Sequence, residues 1–155
     1  MPAKPIPDGY HSVTQYLIVQ NAAAAIEFYR RALGAKEELR LTAPDGKIGH
    51  AEIRVGDSVI MLADEHPGMG YRAPHEPGAA GVSLMVYVED VDRVYAQAVA
   101  AGAKSRRPVV DQFYGDRSGT LDDPYGHVWT IATHKEDLSP EDIDRRAAEL
   151  LRKKD

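Results

Sequence analysis

Residues Asp111–His134 read DQFYGDRSGTLDDPYGHVWTIATH. His127 to His134 is rich in β-branched and aromatic residues, which favours a strand. Tyr114 to Asp122 is a second strand candidate. Between them, Asp123-Pro124-Tyr125-Gly126 has proline at the second and glycine at the fourth position of a type I turn. The stretch therefore predicts two strands joined by a tight turn.

Working outward, Lys104 to Gln112 is a third strand candidate. Before it, VSLMVYV (Val82 to Val88) reads as a strand, Asp90 caps a helix VDRVYAQAVAA, and Gly102 ends that helix. Residues 82–134 thus predict one β-α-β-β-β unit. The same order stands in residues 13–64. VTQYLIV (Val13 to Val19) reads as a strand, Asn21 as the cap of a helix running to Leu33, and Gly34 as its end. Strand candidates follow at about Glu37 to Thr42, Ile48 to Val55 and Ser58 to Ala63, with turn residues at Pro44-Asp45-Gly46-Lys47 and Gly56-Asp57. Gly34-Ala35-Lys36 lies over Gly102-Ala103-Lys104, and Gly56 to Leu62 over Gly126 to Ile131, at an offset of about 69 residues. A whole β-α-β-β-β unit is duplicated.

The connecting stretch His66 to Gly81 is dense in Gly and Pro and lacks periodicity; it reads as a linker or mobile loop, with Met69, Tyr71 and Arg72 as candidates to close over a cavity. Met1 to Ser12, with three prolines and Gly9, predicts an extended or turning lead-in. Ser139-Pro140-Glu141-Asp142 starts a helix with a cap and proline in its first turn. Ile143, Ala147, Leu150 and Leu151 share one stripe of it, so an amphipathic C-terminal helix over residues 139–154 is expected to pack on the body or on a second subunit.

At 155 residues the chain is one compact domain, or two small modules sharing a core. Its formal net charge of -5, with no basic cluster except Arg152-Lys153-Lys154, gives no footprint for nucleic acid. Zero cysteines remove disulfides, thiolate nucleophiles and Cys-based metal sites. No apolar run approaches the roughly 20 residues of a membrane span, and the start lacks the apolar core of a signal peptide, so a cytoplasmic protein without membrane association is expected.

These residues resemble a known family. The tandem modules, with Ala-Ile-Glu-Phe-Tyr-Arg-Arg-Ala-Leu-Gly-Ala at 25–35, look like the vicinal oxygen chelate superfamily of glyoxalase I, bleomycin-resistance proteins and extradiol dioxygenases. Asp45 to Glu52, Tyr87 to Asp92, and Gly115-Asp116-Arg117 with Asp123 to Trp129 are similar to its PhnB-like branch. The resemblance implies an α+β fold of tandem βαβββ modules with curved mixed sheets and a concave cavity, in a single domain spanning 1–155. It also implies modules paired within a chain or across a homodimer.

Period-two alternation assigns sheet faces independently of the resemblance. It sets Val82, Leu84, Val86 and Val88 toward a helix and Ser83, Met85 and Tyr87 away from it. Trp129 and Ile131 take the helix side, while Val128, Thr130 and Ala132 take the other. Thr14 and Tyr16 oppose Val13, Leu17 and Val19, and Met61 opposes Ile60 and Leu62. The resemblance implies metal ligands at four positions that fall here on Thr14, Met61, Ser83 and Thr130. Hydroxyls and a thioether are not zinc, iron or nickel donors, so no metal and no other cofactor is expected at that site. A displaced metal held by His50, Glu52, Asp64 or His127 stands as the alternative.

His50 and Glu52 share one side of a strand candidate, where imidazole and carboxylate make a general base with an orienting partner, or a half-exposed polar pair. Arg117 is a candidate anion clamp, or an ion-pair partner of Asp116, Asp122 or Asp123. Phe113 and Tyr114 are candidate aromatic walls or core residues. Trp129 is assigned to the core and His127 to a structural hydrogen bond. The expected function is binding of an apolar or aromatic small molecule by Thr14, Tyr16, Met61, Ser83, Met85, Phe113, Tyr114, Arg117 and Thr130. The alternative is a lyase or isomerase of glyoxalase kind using His50 and Glu52, or the displaced metal.

Overall fold

The computed structural model describes residues 2–154. The first module comprises β1 (Gln15–Val19), α1 (Ala22–Leu33), β2 (Lys36–Thr42), β3 (Ile48–Val55) and β4 (Ser58–Asp64). The second comprises β5 (Ser83–Tyr87), α2 (Val91–Ala101), β6 (Lys104–Asp111), β7 (Asp116–Asp122) and β8 (Val128–His134), and α3 (Pro140–Arg152) follows. The two sheets have the same order, β1-β4-β3-β2 and β5-β8-β7-β6. In each, the first strand runs parallel to the last and the other neighbours are antiparallel. The sheets are mixed, neither closes into a barrel, and the duplication read from the sequence is a duplication of structure.

Local chemistry explains the helix limits. Asn21 Oδ1 accepts from Ala24 N at 3.1 Å at the start of α1, and Asp90 Oδ1 accepts from Arg93 N at 3.0 Å at the start of α2. Gly34 ends α1 at φ 67°, a left-handed conformation that costs glycine least. Helix α1 buries Ala22, Ala25, Ile26, Phe28, Tyr29 and Ala32. These meet Leu17, Val19, Ile53, Ile60 and Leu62 from their sheet, while Val91, Val94 and Ala98 of α2 meet Leu84, Leu121, Trp129 and Ile131. The helices also pack on each other, and Gln97 Nε2 of α2 donates to the Arg31 and Ala32 carbonyls near the end of α1.

One buried carboxylate ties the modules together. Asp123 accepts from the Tyr29 hydroxyl at 2.5 Å, Trp129 Nε1 at 3.0 Å, Tyr125 N at 2.8 Å and His127 N at 2.9 Å. His127, also buried, points Nε2 at the Ile18 carbonyl at 3.0 Å, the structural role expected of it. Tyr29 belongs to the first module, so its bond crosses the seam.

Two expectations need correction. The first strand begins at Gln15, leaving Val13 and Thr14 in the lead-in. Val82, expected on the helix side, precedes β5 and is 69% exposed. Helix α3 buries none of its residues fully, and its stripe is only partly covered: Ile143 and Ala147 are half-buried while Leu150 and Leu151 are exposed. Arg146 ties it to the body through the Glu136 carboxylate and the Phe113 carbonyl. No helix among the described residues is long and apolar enough to cross a membrane.

Candidate functional site

Each sheet turns one face to its helix and leaves the other open. On the first sheet the register aligns Tyr16 with Met61, Met61 with Glu52, and Leu41 with His50, so these side chains share the open face, as alternation predicts. His50 Nε2 lies 3.1 Å from Glu52 Oε1, and the Tyr16 hydroxyl lies 2.8 Å from His50 Nδ1. The other Glu52 oxygen accepts a short hydrogen bond from the Tyr10 hydroxyl. Tyr10, Glu52, His50 and Tyr16 therefore form one continuous chain.

The protons in this chain follow from the chemistry of its members. Hydrogen bonds from Tyr10 and then His50 hold the Glu52 carboxyl below its ordinary value. It is thus a carboxylate, which only accepts, so His50 Nε2 carries a proton toward it. In neutral imidazole Nδ1 then accepts from Tyr16. Burial, followed by the nearby Tyr71 and Glu52, raises the Tyr16 phenol and keeps it protonated. Among the described residues no donor reaches its oxygen, whose lone pairs face away from His50.

Tyr16 also lines the wall of a cleft of about 430 Å³. Ile18, Ala63, Met69 and Tyr71 supply apolar surface, and Asp45, Lys47 and His66 supply polar groups. The roof is the first part, residues 66–71, of the stretch His66 to Gly81 read from the sequence as a linker or mobile loop. It is built: a single 3-10 turn, Pro67–Met69, closed by a bridge between His66 and Tyr71. Asp64 lines the cleft too, but its oxygens accept from Ala22 N at 2.8 Å and Ile48 N at 2.7 Å. It and buried His127 serve the scaffold and do not join His50 and Glu52. Among the described residues no three or more His, Asp or Glu side chains converge as metal ligands.

The remaining predicted residues lie elsewhere. Ser83 and Met85 face out from β5 along a groove with Gln15, Ile60 and Trp129, and none of these lines the cleft. Thr130 Oγ1 bonds Thr120 Oγ1 at 3.0 Å, and Thr14 Oγ1 donates to the His11 carbonyl at 3.3 Å. Phe113 and Tyr114 pack edge to face in the β6–β7 turn, with ring centroids 5.2 Å apart, and do not line the cleft. The ion-pair partners expected of Arg117 are corrected: it pairs with Asp92 Oδ2 at 2.9 Å and Oδ1 at 2.9 Å on the helix side, and with Asp111 at 3.1 Å. Neither acid was among its expected partners, because the residue pairing with α2 depends on tertiary packing.

Sequence reasoning missed Tyr10, whose partner is 42 positions away, and gave no sign of it beyond a lead-in composition. It also missed a second chain, on the open face of the second sheet. The Tyr87 hydroxyl donates to Asp116 at 2.9 Å, and His134 sets Nδ1 at 2.8 Å from Asp116 and Nε2 at 2.8 Å from Asp137. The two carboxylates, Asp116 first, raise the His134 imidazole above its ordinary value.

The description Glyoxalase/Bleomycin resistance protein/Dioxygenase superfamily matches residues 9–131. The chain is 36% identical over 135 residues to an uncharacterized protein of Mycobacterium bovis, Mb0911c, covering 85% of this chain and 89% of that one. Protein PA1353 from Pseudomonas aeruginosa superposes with a TM-score of 0.66 at 25% identity, over 81% of this chain and 99% of that chain. A PhnB protein from Bacillus cereus shares the fold with a TM-score of 0.61 at 20% identity, over 79% of this chain and 99% of that chain. The four positions at which the resemblance implies metal ligands hold Thr14, Met61, Ser83 and Thr130. Three hydroxyls and a thioether do not fit zinc, iron or nickel.

Proposed function

The chain belongs to the Glyoxalase/Bleomycin resistance protein/Dioxygenase superfamily, and from that premise we propose that it is a PhnB-like protein that binds an apolar or aromatic small molecule without the usual metal. The observation that carries this reading is the cleft between Tyr16, Ile18, Met69 and Tyr71, whose apolar walls and few polar groups suit such a ligand. The donor set at the familiar ligand positions supports metal independence. Leu39, Leu41, Met85 and Tyr87 are exposed on the open faces and support a homodimer in which these faces are covered. A thermal-shift screen of small planar and apolar compounds, run with and without chelator, tests the proposal. A compound at about 100 times its Kd stabilises the protein by about 2.7 kcal/mol. The expected result is a shift that persists in chelator and is lost in Tyr71→Ala; a shift that chelator abolishes refutes the metal-free reading. Sedimentation of the ligand-free protein tests the dimer.

The continuous chain ending at Tyr16 favours a second reading, an acid-base isomerase or lyase. A proton taken from a substrate passes to the Tyr16 oxygen as the Tyr16 proton passes to His50 Nδ1. The resulting imidazolium rests against the Glu52 carboxylate. Turnover of an α-oxo substrate that is abolished in His50→Ala, with ligand affinity retained, selects this reading. Unchanged turnover in that variant eliminates it.

A further inference from the structure

Glu52 has two oxygens and neither meets a lysine or arginine among the described residues. One meets His50, and the other is taken by a residue that sequence reading leaves in a plain lead-in. That lead-in is fastened where it crosses the sheet. Tyr10 N donates to the Pro7 carbonyl at 3.1 Å, closing a turn. The Gly9 carbonyl accepts from Arg54 Nη1 at 3.2 Å, and Arg54 is itself held by Glu38 at 2.6 and 3.1 Å. Gly9 adopts φ 81°, and a Cβ there would sit 3.3 Å from Arg54 Nη2, so the turn both needs glycine and lies tight on the guanidinium. Arg54 is two positions from Glu52 on β3 and shares its face. A segment merely passing the sheet requires none of these contacts.

We infer that Tyr10 is a positioning residue of the site: its hydroxyl orients the Glu52 carboxylate so that Oε1 meets His50 Nε2, and thereby sets which ring nitrogen of His50 carries the proton. The inference rests on the reading of His50, Glu52 and Tyr16 as the working chain of the proposed function. A glutamate loses rotamer freedom when ordered, and the bond to Tyr10 offsets that loss before His50 is engaged. Bonds from ionised or to ionised groups are the stronger ones, so a phenol on Glu52 also favours its charged, accept-only form. An oriented carboxylate keeps the proton on Nε2 and the lone pair on Nδ1, where Tyr16 donates. With Tyr10 gone, Glu52 rotates and protonates more readily, and His50 exchanges between its two neutral tautomers.

The test uses the full chain without ligand. Nitrogen NMR of the His50 ring and carbon NMR of the Glu52 carboxyl are recorded against pH in the wild type, in Tyr10→Phe and in a variant lacking residues 2–10. In both variants the Glu52 midpoint is expected to rise, and the ratio of the Nε2–H to the Nδ1–H form at neutral pH to fall by at least about threefold, the worth of one modest hydrogen bond. A wild-type tautomer ratio in Tyr10→Phe overturns the inference, whether or not the Glu52 midpoint moves. So does a wild-type spectrum in the shortened variant. Because no ligand is involved, this failure is separate from a failure to bind small molecules, which bears on the proposed function alone.

Discussion

Replacing Tyr29 with Phe removes one oxygen from the seam between the modules and leaves the ring that packs against Trp129, at a centroid distance of 5.5 Å, and against Phe28 at 5.4 Å. Asp123 is 4% exposed and has no ion-pair partner among the described residues, so its charge is balanced only by four donors. A hydrogen bond to a charged group contributes about 1.5–3 kcal/mol, and the loss here is toward the middle of that range because three donors remain. Since the ring is kept, cavity formation adds little. We expect about 2 kcal/mol of destabilisation, equivalent to roughly 4–8 °C in Tm for a chain of this size. Urea unfolding followed by fluorescence measures it directly, because Trp129 is the single tryptophan and lies in the seam. In an Asp123→Asn background the side-chain oxygen can serve only one of the two donor pairs. Kept toward the Tyr125 and His127 N–H groups, it leaves an amide NH2 group facing the Tyr29 hydroxyl, and Tyr29→Phe should cost no more than about 1 kcal/mol. Burial first, then the charge of Asp123, pushes the Tyr29 phenol well up. Its folded value thus exceeds its unfolded one, so the contribution is complete below the ordinary tyrosine value of about 10 and is lost as pH rises through the folded value. Tyr29→Phe should therefore flatten the alkaline limb of the stability curve. A cost below about 0.5 kcal/mol, or an equal cost in both backgrounds, refutes the assignment of Asp123 as a dipole-balanced buried anion.

Glu52 has the opposite sign: its folded value lies below the unfolded one, so its stabilisation holds above about pH 4 and is lost as pH falls through the folded value. Glu52→Gln should reduce the loss of stability in acid, as read by chemical denaturation across that window. Gly119→Ala should destabilise by about 1–3 kcal/mol, because the new Cβ would lie 2.7 Å from Tyr95 Cε2 and 2.9 Å from Val109 Cγ2. Tyr95 does not swing aside freely, its hydroxyl lying 2.6 Å from Ser105 Oγ; calorimetry of the variant checks the value. Arg117→Ala should leave ligand binding unchanged and cost no more than about 1 kcal/mol, since its pairs with Asp92 and Asp111 lie at the surface. Loss of binding in that variant would return Arg117 to the site.

Much of this molecule is written locally. The order of elements along the chain, the caps at Asn21, Asp90 and Ser139, and the helix end at Gly34 follow from residues within a few positions of each other, and the repeat of one unit from comparing two such runs. The sheet faces follow in the same way: alternation pairs His50 with Glu52 on one side of β3 and sets Tyr16 and Met61 opposite the helix side, while the register of the sheet is what brings the two pairs onto one face. The helix α3 stripe was equally legible, yet its being only half covered was not, because a periodic pattern shows that a face is apolar and not what covers it.

What joins the elements had no local signature. Tyr29 and Asp123 are 94 positions apart, Tyr10 and Glu52 are 42 apart, and Arg117 and Asp92 are 25 apart. Each pair is ordinary in composition and acquires meaning only when packing brings its members within hydrogen-bond distance. Pleat and helix periodicity are properties of a short run of backbone and pass directly from sequence to structure. The direction of a hydroxyl toward one carboxylate among many depends on the path of the whole chain, and so the proton order along Tyr10, Glu52, His50 and Tyr16 was decided by the tertiary structure.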